Sequence, residues 1–230
     1  SNHSFDLLSC FPASAEPGKE FTSVTHSNVY FREPESRADQ TRMMSIVTTG
    51  SETGYYVDVF RSRKERGGDK MHDYFYHNLG QTMALTAADG TDLNLQPTEE
   101  LAFAGAHLYG YSYLYDKKVA ATGKDVKATF TIDMKDKGGD DIVMNLWMKG
   151  EPDREVFTAL SPMTEGLSRT PGMPYNIKEQ PTLTFVARQH GEAWTRPFVA
   201  VYEPSTKKEP SAIQSVSYFD AEETVLKDFA

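Results

Sequence analysis

The stretch Lys70-Met-His-Asp-Tyr-Phe-Tyr-His-Asn-Leu-Gly80 gathers the side chains best suited to chemistry. Side chains alternate faces along a strand. His72, Tyr74, Tyr76 and Asn78 therefore share one face, and Asp73, Phe75, His77 and Leu79 share the other. Phe75 and Leu79 suit a core. The first face suits a sugar, whose apolar C–H surface lies on aromatic rings while its hydroxyls meet amide and imidazole groups. The commoner use of such a face is plainer, with tyrosine rings in the core and hydroxyls at its rim. The preceding stretch, Gly54-Tyr-Tyr-Val-Asp-Val-Phe-Arg-Ser-Arg63, is also extended in character, and Gly67-Gly68-Asp69 reads as the turn of a hairpin joining the two. In that hairpin Arg61 and Arg63 sit diagonal to the His72 face, where they either clamp a carboxylate or sulfate or remain solvated edge arginines. The expected ligand-binding set is thus Arg61, Arg63, His72, Tyr74, Tyr76 and Asn78.

Other chemistries find less support. Tyr109, Tyr111, Tyr113 and Tyr115 alternate, which in a strand makes a stripe, either packed or a sugar platform. His72 and His77 fall on opposite faces and cannot chelate one ion without a bulge. His3, His26, His107 and His190 are scattered, with no zinc spacing. Asp136, Asp140 and Asp141 surround Gly138-Gly139 without the remaining positions of a calcium loop, so they read as a solvated turn. Cys10 lies near the start, and neither a Gly-x-Ser-x-Gly motif nor a phosphate-cradling glycine loop is present. No metal and no cofactor is expected, and the residues assign no catalytic role.

The elements that must position these residues are short and extended. Phe21 to Phe31, Thr41 to Thr49, Gln81 to Ala87, Val126 to Met134, Ile142 to Met148, Glu155 to Leu160, Thr182 to Arg188, Thr195 to Tyr202 and Ile213 to Phe219 read as strands. Asp136 to Asp141 is a strong hairpin turn. Pro97-Thr-Glu-Glu100 before Leu101 and Phe103 reads as a short helix with an acidic first turn. Ser161 to Pro181, rich in proline, reads as a long loop. About eleven strands with hairpin-type links imply an all-β fold, a large antiparallel β-sandwich of supersandwich type. Residues 1–20 are expected as a loose N-terminal arm and residues 21–230 as a single sandwich domain.

Composition narrows the partners. With 39% hydrophobic and 12% aromatic residues, 230 residues can bury a sizeable core. The net charge of -9 disfavours nucleic acid or an anionic membrane as main partner, since both reward a basic surface. A local basic patch for an acidic sugar remains compatible with it. A single cysteine excludes an intrachain disulfide. No apolar run is long enough to span a bilayer. The first ten residues, with a faint lipobox character over Leu7 to Cys10 but no basic or long apolar leader, read as a mature or trimmed terminus.

Gly54–Arg63, His72–Asn78, Pro181–Arg188, Thr195–Pro204 and Ile213–Val216 together resemble the β-sandwich part of heparinase II/III-like polysaccharide lyases, over most of residues 40 to 220. The resemblance implies a large sandwich that follows a helical toroid, in proteins that cleave uronate-containing glycans by β-elimination. It also implies a periplasmic, cell-surface or secreted bacterial location. In that family most of the catalytic machinery comes from the helical domain and from a histidine-rich segment that can hold zinc. This chain has no toroid-length helical region, and His26-Ser-Asn28 is the nearest it comes to that segment, so no catalytic residue carries over. The expectation is an ancillary domain, inactive alone, that contacts acidic polysaccharide or oligosaccharide, or an upstream helical domain of the same polypeptide. The alternatives are a free-standing uronate lyase or mutarotase-like enzyme using a His/Tyr pair from residues 72 to 77 as acid and base, and a purely structural interaction domain.

Overall fold

The computed structural model describes residues 4–12, 23–102, 106–163 and 171–219. Period-two alternation builds its strands. Val126–Ile132 shows the pattern cleanly: Val126, Ala128, Phe130 and Ile132 are buried, while Lys127, Thr129 and Thr131 between them are not fully buried. Thirteen strands form among the described residues: β1 Asp6–Phe11, β2 Val24–Arg32, β3 Asp39–Thr48, β4 Gly54–Arg63, β5 Met71–Asn78, β6 Thr82–Ala87, β7 Gln96–Pro97, β8 Tyr115–Ala121, β9 Val126–Ile132, β10 Ile142–Met148, β11 Arg154–Ser161, β12 Thr182–His190 and β13 Ala193–Ser205. They make two antiparallel sheets, eight strands in the order β1-β2-β3-β4-β13-β10-β9-β6 and five in the order β5-β12-β11-β8-β7. This is the expected all-β sandwich, with more strands than the sequence suggested.

The main core lies between the sheets. Phe130, Leu146, Met148, Phe198 and Ala200 come from the larger sheet and Tyr74, Val156, Phe185 and Ala187 from the smaller. Each large side chain sealed here contributes roughly 1.5–3 kcal/mol relative to exposure. A second cluster of Leu101, Leu114, Phe157, Ala159 and Val186 covers the outer face of the smaller sheet. β12 is therefore buried on both faces along nearly its whole length.

Several expected elements take other forms. The arm expected over residues 1–20 contains β1, which pairs with β2 at the edge of the larger sheet; residues 13–22 lie outside the described ones. The hairpin expected between β4 and β5 is a crossing between sheets, because β4 pairs with β3 and β13 while β5 pairs with β12. By contrast, the turn between β9 and β10 is a true hairpin, with Gly138 at φ 69° closing it. Residues 98–102 are not helical, and 103–105 of the expected helix lie outside the described residues. The tyrosine stripe is broken by a 3-10 segment, Ala106–Tyr113, so the strand begins only at Tyr115. Tyr109, Tyr113 and Tyr115 stay exposed, whereas Tyr111 turns inward against Phe75. Ile213 to Phe219 forms no strand. It runs as an irregular strap across Tyr55, Val57, Val199 and Val201 on the outer face of the larger sheet.

Candidate functional site

β5 is an edge strand of the smaller sheet, and the segment from residue 64 to 70 crosses from β4 to reach it. That crossing leaves a cavity of about 440 Å3 beside β5, walled by the β2–β3 turn, the end of β4 and the crossing segment. Gln40, Ser62 and His72 are among its polar side chains, Lys64, Lys70, Asp69, Asp73 and Arg188 its charged ones, and Phe60 and Tyr111 its aromatic surfaces. Each is placed by simple alternation: β3 and β4 are in register at Gln40 and Ser62, which lie on the inward face that also carries Phe60.

His72 lines the cavity and is held by a carboxylate. Its Nε2 lies 2.6 Å from Asp69 Oδ1, which also accepts the backbone N–H of Lys64 at 2.6 Å. The turn that makes the crossing thereby fixes the imidazole. Over the edge of β5, the Asp73 carboxylate takes the Arg188 guanidinium through Nε at 2.7 Å and Nη2 at 2.8 Å. Tyr111 donates to the same carboxylate at 2.5 Å, and Arg188 reaches Glu100 at 3.3 Å. Burial, reinforced by Asp73, pushes the Tyr111 phenol far above its ordinary range.

Deeper between the sheets, Asp58 in the middle of β4 is fully buried and organises a polar network. Arg42 donates to it through Nε at 3.0 Å and Nη2 at 2.5 Å, and Tyr74 through its hydroxyl at 2.6 Å. Tyr74 is in turn hydrogen-bonded to the Tyr202 hydroxyl. Asp58 holds the Arg42 guanidinium above even its usual range, although 45% of that side chain is exposed. Burial first, then the neighbouring Asp58 and tyrosine, pushes the Tyr74 phenol well up, and burial also raises Tyr202. Both phenols therefore remain proton donors at neutral pH, and neither is a ready base.

The six residues singled out in the sequence do not converge. His72 alone of them reaches the cavity wall. Tyr74 is 2% exposed, and Tyr76 packs against Phe130 and Tyr202 with ring centroids 5.4 and 4.7 Å away. Asn78 donates to the Tyr76 hydroxyl at 3.1 Å. Arg61 and Arg63 lie on the other face of β4: Arg61 donates to the Trp194 carbonyl, and the Arg63 guanidinium stacks 4.2 Å from the Trp194 ring. The diagonal clamp does not form, because β4 and β5 belong to different sheets. His77, on the outer face, pairs with Thr184 Oγ1 at 2.9 Å, and burial lowers its pKa. The histidine and tyrosine of the expected acid–base pair are thus separated, one on the cavity wall and the other sealed in the core. Among the described residues no group of three or more histidine, cysteine or acidic side chains is arranged to hold a metal ion.

Sequence reasoning passed over Arg42, Asp58 and Tyr202, and over the cavity's Gln40, Ser62 and Lys64. A signal existed for one of them. Asp58 shares a strand face with Tyr56 and Phe60, and a carboxylate buried in a strand needs a partner. Its partners, Arg42 and Tyr74, each 16 residues away, have no local pattern that reveals them.

No known family profile matches the chain. Over 192 residues, 82% of its length, it is 34% identical to an endo-acting ulvan lyase of Formosa agariphila. The match spans about a fifth (22%) of that relative. Through most of its length the chain is therefore similar to part of a polysaccharide lyase.

Proposed function

We propose that this chain is the ancillary β-sandwich of a heparinase II/III-like polysaccharide lyase. In this reading it contacts acidic polysaccharide, or the helical catalytic domain of the same polypeptide, and is inactive alone. The observation that carries the reading is the 34% identity to one segment of an endo-acting ulvan lyase. Two features of the site support it. Tyr111 on the cavity wall donates to Asp73, Tyr74 donates to Asp58, and the polar network around Asp58 is internally satisfied, as suits a scaffold more than a reaction centre. A polymer is met outside the cytoplasm, so the reading puts the chain in the periplasm, at the cell surface or in the medium.

The test is retention of the purified chain in gels containing ulvan, heparan, alginate or chondroitin, together with ultraviolet assay for unsaturated uronate. Retention on at least one acidic polymer without product is expected. No retention on any of them sinks polysaccharide contact. A second reading, a free-standing enzyme, is favoured by the Asp69–His72 pair on a cavity wall. It requires unsaturated product from this chain alone, lost in His72→Ala.

A further inference from the structure

We propose that the cavity beside β5 is a subsite that seats one anionic sugar unit, its carboxylate or sulfate held between Lys64 and Lys70 and a hydroxyl held by Ser62. The inference rests on the polysaccharide reading for the kind of polymer, but its geometry stands apart from it.

Three observations converge. Ser62 is 1% exposed, lines the cavity, and its Oγ has no hydrogen-bond partner. A buried hydroxyl without a partner costs free energy unless something supplies one, and Ser62 belongs to the wall of this cavity. Next comes charge. The lining carries Lys64, Lys70 and Arg188 against Asp69 and Asp73, in a chain of net charge -9. Both carboxylates are already engaged, Asp69 by His72 and a backbone N–H, and Asp73 by Arg188 and Tyr111. Among the described residues neither lysine has an ion-pair partner, and three cations against two carboxylates leave the lining net positive. Shape is the third. A volume of about 440 Å3 lies within the roughly 300–1,000 Å3 of small-molecule sites. Phe60 and Tyr111 provide ring faces for sugar C–H groups, while Gln40 and His72 provide hydrogen-bonding groups.

The experiment uses the full chain, with glucuronate, galactose 6-sulfate and galactose as probes by ligand-observed NMR, and ulvan by affinity gel. Either or both anionic sugars should bind, which tells carboxylate from sulfate, and galactose should bind at least several-fold more weakly. Lys64→Ala/Lys70→Ala, at side chains outside the core, should weaken the anionic probes roughly tenfold, the loss expected for charge-assisted contacts. Ser62→Ala should weaken sugar binding several-fold while leaving the urea midpoint of the free protein unchanged or higher, because its hydroxyl has no internal partner. Equal binding of anionic probes to wild type and the double-lysine variant overturns the subsite. So does galactose binding as tightly as the charged sugars, or destabilisation of the free protein by Ser62→Ala. If ulvan retains the wild type and both variants equally, the subsite fails and the polysaccharide reading stands. If the monosaccharides bind as described and no polymer is retained, the subsite stands and that reading fails.

Discussion

At the scale of single residues, Asp58 is the most consequential side chain outside the apolar core. It is fully buried and accepts from Arg42 and Tyr74, so its removal takes a partner from a guanidinium and a phenol at once. Breaking a buried ion pair costs about 3–5 kcal/mol. The exposed part of Arg42 can still be hydrated, so Asp58→Ala should fall near or below the lower end, about 2–3 kcal/mol. Tyr74→Phe removes the hydrogen bonds to Asp58 and Tyr202 but leaves the Arg42–Asp58 pair intact, costing about 1–2 kcal/mol. Urea titration of both variants measures the difference, and equal losses would mean that the hydroxyl pair, not the carboxylate, is the centre of the network. Asp58 also shows where sequence reading stops. Its inward position was legible from Tyr56 and Phe60, two residues away on the same strand face, whereas its partners arrive from β3 and β5 through pairings that no local pattern encodes.

At the scale of elements, the strands themselves were largely legible and their partners were not. β4 and β5 each bury one face, and period-two alternation looks the same in a hairpin as in a strand that crosses to the opposite sheet. A glycine-rich turn serves both. The strap from residue 211 to 218 has the same ambiguity: Ile213 to Phe219 has strand composition, yet side chains rather than a ladder hold it. Glu203, 6% exposed, accepts the Ala212 N–H at 2.7 Å, the Ile213 N–H at 3.2 Å and the Ser211 hydroxyl. Lys149 holds the far end through the Val216 carbonyl at 3.0 Å and the Tyr218 ring. Glu203→Ala should therefore release the strap locally. Amide exchange at 212–218 should accelerate by at least tenfold, corresponding to about 1.4 kcal/mol, while β9 and β10 keep their protection. Uniform acceleration across both sheets would show that the strap is part of the cooperative core.

At the scale of the whole molecule, four tyrosines tie the layers together and give the fold a defined alkaline limit. Tyr74 and Tyr76 come from the smaller sheet, Tyr202 from the larger, and Tyr111 from the segment covering the outer face. Burial raises all four phenols, Tyr76 to about 12. A group whose folded pKa lies above its unfolded value keeps its full contribution to stability below the unfolded pKa, near 10 for tyrosine. As pH rises from there the unfolded chain sheds protons that the folded chain retains. The contribution of Tyr76 is therefore lost between about pH 10 and about pH 12. Burial raises the other three as well, so each adds to the loss above about pH 10. The urea midpoint should be insensitive to these groups up to about pH 10 and fall steeply above it. Tyrosinate absorbance from the buried rings should appear together with loss of near-ultraviolet circular dichroism. Tyr76→Phe should flatten the slope between pH 10 and pH 12. An unchanged slope, or buried-ring tyrosinate forming while the dichroism is still native, would mean that water reaches these hydroxyls in the folded state and that the sheets are less tightly joined than their packing implies.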